Sequence, residues 1–432
     1  MLDAIDRFFG LTEHNSSIRQ EVLAGVTTFL AMAYITVVNP GILSAAGMDF
    51  GAVFVATCLA AALGTAIMGL YANYPVAQAP GMGQNAFFTY GVVLGLGHSW
   101  QSALGAVFVS GLIFILLSVL PVREWLINAI PRSLKLGISA GIGFFLGIIA
   151  LSGSGIIVSN DATMVGLGDL TETPAIFMLL GFVLIAALSA RRTVGAVVIG
   201  MLVVTALGWL TGAAEFKGIV SMPPPMTSFL ELDIAGALDL SMVTVILTLL
   251  LVDVFDTAGT LVGVANRAGM LDKNGHLPRL RRALLSDSSA TAVGAVFGTS
   301  STTSFIESAA GVEAGGRTGL TALTTATLFL LCLFIAPLAQ SVPGFATGAA
   351  LLFVATIMAR ALEDLEWGDV AESAPAIVTA IGVPLSYSIA DGIGLGFITY
   401  ALIKIASGNA SRCPIAVYVV AGIFMLKFGF LS

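Results

Sequence analysis

Charge is what this sequence has least of. Only 10% of its 432 residues are Asp, Glu, Lys or Arg, against about 25% in soluble domains. With 57% hydrophobic residues, a water-soluble fold could not hide this much apolar surface, and lipid has to cover it. Cysteine and histidine are also scarce. Cys58, Cys332 and Cys413 are far apart and lie in or beside apolar runs. That spacing excludes a disulfide framework and reads as small buried hydrophobes. His14, His98 and His276 all fall in expected loops. No metal-ligand spacing, nucleophile–base pair or phosphate loop occurs, so neither a metal centre nor an enzyme is expected. A net charge of −7 offers no basic surface to nucleic acid. A cleavable signal pattern is lacking too. The stretch 1–19 starts amphipathic, with Phe8, Phe9 and Leu11 on one apolar side, and is expected to form an interfacial N-terminal helix.

What is there is a succession of apolar runs long enough to cross a bilayer. They lie at 20–39, 51–71, 101–120, 133–157, 174–190, 193–211, 239–265, 318–340, 345–361, 374–389 and 391–407, near the length that 30 Å of hydrocarbon demands. Shorter or broken runs sit at 78–97, 283–298 and 300–315. A further run at 413–430 follows Arg412; it makes a fifteenth crossing or lies at the interface. Starting with the N-terminus inside, all of the 18 Lys and Arg residues except Lys217 and Lys427 fall on the inner side. The positive-inside rule thus supports fourteen segments and a cytoplasmic N-terminus. Dropping one early segment would invert the rest and destroy the pattern.

The runs divide into seven within 20–211 and seven within 239–407. Seven is odd, so the second half inserts upside down relative to the first. In each half the third segment is short and starts with small and polar residues, namely Gln78–Phe87 and Gly298–Glu307. Interrupted segments at matching places in two halves point to a midplane site. Pro80, Gly81 and Gly83 cannot belong to a regular helix interior. A strand-like entry and a half-helix from Gln84 fit better, with free N–H groups and the amides of Gln84 and Asn85 at its tip; a packed Pro/Gly kink is the blander reading. Thr299–Ser304 is a run of six hydroxyl residues able to satisfy non-helical backbone inside a membrane. Glu307 follows in the first turn of the next half-helix, as a site carboxylate or a helix cap.

A third element is Leu250–Thr260, where Asp253 and Asp256 stand at i, i+3 on one helix face. A charged Asp at the bilayer centre costs about 2.5–3.5 kcal/mol, so such a residue is a functional candidate; Asp253 could instead only brace the site. The set contains acids, amides and hydroxyls, and no buried Lys or Arg. It suits a neutral planar ligand with donors and acceptors better than an anion. Carboxyls that exchange protons supply a means of coupling. Phe87, Phe88, Phe255 and Phe305 stack on a flat ring or pack between helices. Glu313 and Arg317 suggest a local i, i+4 ion pair, and 272–275 reads as a turn, not a calcium loop.

These segments resemble a known family. Ala79–Phe88, Val252–Thr260 and Gly298–Ser308, with Gly25–Tyr34 and Gly315–Leu320, are similar to the signatures of the adenine/guanine/hypoxanthine permeases of the nucleobase:cation symporter-2 class. The resemblance covers nearly the whole chain. It implies an all-α polytopic membrane protein with the uracil-permease fold: fourteen transmembrane segments as two inverted seven-segment repeats, with short strands in segments 3 and 10. It implies a core domain from 20–120 and 239–340 and a gate domain from 133–211 and 345–407, leaving 413–430 as an extra hydrophobic segment. The implied substrate ligands are Gln84, Asn85, Ala86, Asp256, Phe305, Ile306 and Glu307. Asp256, Glu307, Asp253 and Thr260 are the candidates for proton coupling. The implied function is import of purine nucleobases in the plasma (inner) membrane by proton symport and alternating access, driven by the proton gradient with no bound cofactor. A homodimer is implied as well. Where the uracil permease has Glu and His, this chain has Asp256 and Thr260, which argues against uracil. The alternative on the same fold is an anion carrier of the sulfate or bicarbonate type. A membrane enzyme or channel lacks both a catalytic constellation and a continuous polar pore lining.

Overall fold

The computed structural model describes residues 2–120, 130–272 and 277–430. Arg123, Lys273, His276 and most of the turn expected at 272–275 lie outside them. Helix α1 (Leu2–Phe9) is closed by Thr12, whose N–H and hydroxyl donate to Asp6 at 2.8 and 2.7 Å. Phe9 and Leu11 are buried while Phe8 is exposed, and the Asn73 amide donates to the Phe9 carbonyl at 3.0 Å. The amphipathic N-terminal stretch is therefore a helix folded against the end of the second segment.

The first apolar run is two helices, α2 (Ile18–Met32) and α3 (Ile35–Ser44). Ser17 caps the first. The join tightens to i→i−3 bonds, Thr36 N–H to Ala33 and Val37 N–H to Tyr34, both 3.1 Å. Helix α4 (Phe50–Ile67) follows, with one π turn at Met68–Ala72 that ends on left-handed Asn73. Then come strand β1 (Gln78–Pro80), the short helix α5 (Met82–Ala86) and a π-helical stretch Phe87–Gly95. Helices α6 (Trp100–Val119), α7 (Arg132–Gly153), α8 (Thr173–Ala190) and α9 (Ala196–Thr211) complete the first half. Between α7 and α8 an exposed hairpin, β2 (Ile157–Asn160) with β3 (Met164–Leu167), stands where the apolar pattern suggested only the tail of a helix and a loop.

The second half repeats the order. A one-turn helix α10 (Ile234–Ala237) leads into α11 (Val243–Arg267) and α12 (Leu280–Phe297). Strand β4 (Thr302–Ser304) and the short helix α13 (Ser308–Glu313) come next. Helices α14 (Gly319–Cys332), α15 (Ala336–Gln340), α16 (Gly344–Ala359), α17 (Val370–Ser386), α18 (Ile389–Ala406) and α19 (Ile415–Phe430) follow. Among the described residues, nine helical stretches are long and apolar enough to cross a membrane, and three shorter apolar helices accompany them. The molecule is a multi-pass membrane protein, mostly helical, as the composition required.

The two broken segments meet. Strands β1 and β4 pair antiparallel with Gln78 opposite Ser304, Ala79 opposite Thr303 and Pro80 opposite Thr302. Gly81 N–H to Ser301 and Phe305 N–H to Ala77, both 2.9 Å, extend the ladder at its ends. Two strands this short have few partners, so buried side chains complete the pairing: the Thr65 hydroxyl bonds both the N–H and the carbonyl of Gln78. Close backbone approach locks the surrounding helices. A Cβ on Gly69 would lie 2.6 Å from the Gly319 carbonyl, and one on Gly319 would strike that of Gly69. Only glycine fits at both ends of this crossing. Helix α7 packs on α16, α17 and α18, and α17 on α18, while α4, α11 and α12 pack around the strand pair.

The apolar tail forms helix α19, running antiparallel along α18. Phe424 fills the notch at Gly394, where a Cβ would come within 2.5 Å of its ring, and Lys427 Nζ pairs with Asp391 at 2.5 Å.

Candidate functional site

The strand pair ends at two half-helices, and the acids singled out in the sequence gather there. Helix α11 brings its middle turns against β4 and α13. Asp256, on that face, is exposed and makes no hydrogen bond to any described residue. Glu307 sits in the turn before α13, half-buried, and its Oε1 accepts from the Tyr34 hydroxyl at 2.6 Å. Ile306 is 42% exposed beside it, whereas Phe305 is buried. Gly263 on α11 lies opposite Ile306, since a Cβ there would stand 3.6 Å from Ile306 Cδ1.

Asp256 and Glu307 thus stand on two elements, α11 and the turn between β4 and α13, that pack on each other. The other expected ligands are held differently. Gln84, Asn85 and Ala86 are all fully buried. Gln84 Nε2 donates to Asp253 Oδ1 at 3.2 Å. The Asn85 carbonyl oxygen accepts from the Ser300 hydroxyl, and its Nδ2 reaches the Pro80 carbonyl at 3.5 Å. These amides tie the two broken segments to each other and to α11. Asp253 is fully buried, and its Oδ2 accepts from the Thr291 hydroxyl at 2.9 Å. Thr260 is buried one turn beyond Asp256.

Sequence reasoning missed Asp287 on α12. It is fully buried and accepts from Ser304 Oγ at 2.7 Å, Thr257 Oγ1 at 2.6 Å and Gln78 Nε2 at 3.0 Å. The Thr257 hydroxyl also meets Thr303 Oγ1 at 2.8 Å. An acid among Ser286, Ser288 and Ser289 in an otherwise apolar run was the available signal. Tyr34 was missed as well, since an aromatic in an apolar segment resembles any packed aromatic. Phe255, next to Asp256, carries Lys135 Nζ of α7 over its ring at 5.2 Å. Among the described residues, no cluster of three His, Cys, Asp or Glu is arranged to hold a metal ion.

A cavity of about 840 Å³ reaches this site. Its lining includes Tyr34, Glu307, Phe353, Arg192, Arg267 and Arg360, so it runs from the carboxylate to the arginine-rich ends of the helices. Tyr90 packs edge-on against Phe145 with ring centres 6.5 Å apart, and Phe145 against Tyr387 at 5.6 Å. The arrangement can accept hydrogen bonds from a ligand and exchange protons with it.

Comparison with known proteins agrees with this architecture. Residues 19–395 match the model of a permease family, that of the xanthine/uracil permeases. The chain is 48% identical over 430 residues to a putative permease of Methanocaldococcus jannaschii, covering 99% of each. It is 47% identical to the adenine permease AdeP of Escherichia coli, over 99% of this chain and 96% of the relative. It is 44% identical to the guanine/hypoxanthine permease PbuG of Bacillus subtilis, over 98% and 99%. Among solved structures, the transmembrane domain of the cyanobacterial bicarbonate transporter BicA superposes with a TM-score of 0.65 at 16% identity, covering 90% of this chain and 97% of that one.

Proposed function

The chain belongs to the xanthine/uracil permease family, and from that premise we propose that it imports purine nucleobases by proton symport with alternating access. Relatives named as adenine and as guanine/hypoxanthine permeases resemble it along their whole length, which supports a purine substrate. The single observation that carries the mechanism is the pair of membrane-embedded carboxylates on packed elements: Asp256 on α11, with no hydrogen bond to any described residue, and Glu307 before α13, held by Tyr34. Ring N–H groups of a neutral base would satisfy such acceptors, and carboxyl groups exchange protons. Asp256, Ile306 and Glu307 are the proposed direct ligands, with Phe305 behind them. Gln84, Asn85 and Ala86 shape the site from within the packed strand region, and Asp253 and Thr260 complete the acidic helix face.

The proposed frame has fourteen crossings in two inverted repeats. The core is 20–120 with 239–340, and the gate is 133–211 with 345–407. The antiparallel meeting of β1 and β4 supports the inversion. The cavity past Arg192, Arg267 and Arg360 opens on the side that the positive-inside rule assigns to the cytoplasm. In the proposed topology Tyr90, Phe145 and Tyr387, whose rings pack on one another, lie in the outer halves of their segments and form the closure on that side. Both support an inward-open state in an inner membrane with the N-terminus cytoplasmic. A homodimer belongs to the proposal as well.

The likeness to a bicarbonate transporter is one of fold at 16% identity, and the whole-length relatives favour a nucleobase over an anion. The test is competition of labelled hypoxanthine uptake by unlabelled adenine, guanine, hypoxanthine and uracil, with the pH gradient intact or collapsed. Purines should compete, uracil should not, and collapse of the gradient should abolish accumulation. Uptake of labelled sulfate that excess hypoxanthine leaves unchanged would refute the proposal.

A further inference from the structure

The Gly25–Tyr34 run is a sequence signature to which the transport reading gives no task. It ends at the join between α2 and α3, and Tyr34 sits there, 2% exposed. Its hydroxyl donates to Glu307 Oε1 at 2.6 Å, a bond that links positions 273 residues apart. Tyr34 is the one side chain among the described residues that hydrogen-bonds to Glu307. Both line the cavity of about 840 Å³, so the phenol stands at its wall, where the carboxylate meets open space.

Glutamate has three side-chain torsions, and a ligand that leaves one free loses entropy each time substrate binds. A charge-assisted bond from a phenol held rigid by its own burial removes that freedom. It occupies one carboxylate oxygen and leaves the other for an incoming N–H. Among the described residues, Asp256 has no such holder. The two acids are therefore unequal: one is pre-set, the other adapts.

We propose that Tyr34 is the positioning residue for Glu307, fixing its carboxylate for the ring N–H of the purine. This rests on the reading of Glu307 as a substrate ligand. A phenol that merely needed a partner inside the membrane predicts a structural loss instead, so the test must separate the two.

Purine binding is measured on the purified full chain for wild type, Tyr34→Phe, Glu307→Gln and the double variant, using the base that competes best for uptake. Tyr34→Phe should weaken binding about tenfold, near the low end for a hydrogen bond to an ionised group, with protein yield unchanged. In the Glu307→Gln background the same change should cost less than about twofold, the non-additivity expected of groups acting through one another. Equal losses in both backgrounds would overturn the proposal. A second measurement needs no substrate: modification of Glu307 by a hydrophobic carbodiimide, read by mass spectrometry. It should run several-fold faster in Tyr34→Phe, and an unchanged rate would overturn the proposal. The failures are distinguishable. If Glu307→Gln binds purine as wild type does, the reading of the site falls. If it does not, while Tyr34→Phe does, only the role of Tyr34 falls.

Discussion

Asp287 offers the sharpest test of how the site is held. Its carboxylate receives three donors, from Gln78 on β1, Ser304 on β4 and Thr257 on α11, and so joins both strands to the helix that carries Asp256. Asp287→Ala leaves Thr257 its bond to Thr303 at 2.8 Å. Gln78 Nε2 and Ser304 Oγ keep only their mutual contact at 3.4 Å, which is long for a hydrogen bond. Two buried donors are then stranded at about 1–3 kcal/mol each, or roughly 2–6 kcal/mol together. Asp287→Asn keeps one oxygen acceptor but turns an NH₂ toward one of the donors, so roughly half that loss is expected. Thermal unfolding in detergent, followed by size exclusion, should rank wild type above Asn and Asn above Ala. Purine uptake should fall in the same order, because β1 and β4 carry both half-helix tips. If Asp287→Ala unfolds at the wild-type temperature and transports normally, the carboxylate is not what holds the strands, and the reasoning fails.

The remaining expectations concern the acids, a helix crossing and two anchors. Asp256→Asn and Glu307→Gln should each lower purine uptake by at least about a hundredfold, the scale of losing an ionised hydrogen-bond acceptor at a binding site, with the protein still recovered from the membrane; wild-type uptake by either would contradict the assignment. Gly319→Val forces side-chain carbon onto the Gly69 backbone and should cost about 1–3 kcal/mol or more, visible as reduced yield and thermal stability. Glu21→Ala strands the N–H groups of Arg317 and Thr318, both 3.1 Å from the carboxylate, while the Thr321 hydroxyl, 2.6 Å from it, keeps the Glu21 carbonyl at 3.3 Å; roughly 2–6 kcal/mol should be lost as the start of α14 is left unsatisfied. Lys427→Met breaks the pair with Asp391 and should make α19 more susceptible to protease than in wild type, with the core unfolding temperature little changed.

Several features are readable in the sequence alone. The scarcity of charge demanded a membrane, and the run lengths placed nearly every helix within a few residues. Pro80 and the glycines around it, with the hydroxyl run 299–304, marked both places where a helix could not continue. Asp253 and Asp256 stood out because burying an acid in hydrocarbon costs too much to be incidental. The break at Ala33–Tyr34 was not readable: no proline or glycine marks it, and Pro40 sits a turn and a half further on. The hairpin Ile157–Leu167 was missed because its apolar residues are exposed, which a hydrophobicity pattern cannot reveal.

The order of the chain alone determined that this is a polytopic membrane protein whose two halves each carry an interrupted third segment, because both follow from local chemistry: apolar length, missing N–H donors, and acids where none should be. Which side chains face which could be decided only by the tertiary structure. Asp253 and Asp256 are three residues apart and share a helix face, yet one is bound by Gln84 and Thr291 and the other stands open. That difference is set by what α12 and the crossed strands bring alongside, from more than thirty residues away in the chain. The bond from Tyr34 to Glu307, spanning 273 positions, is of the same kind: nothing near either residue in sequence reports it.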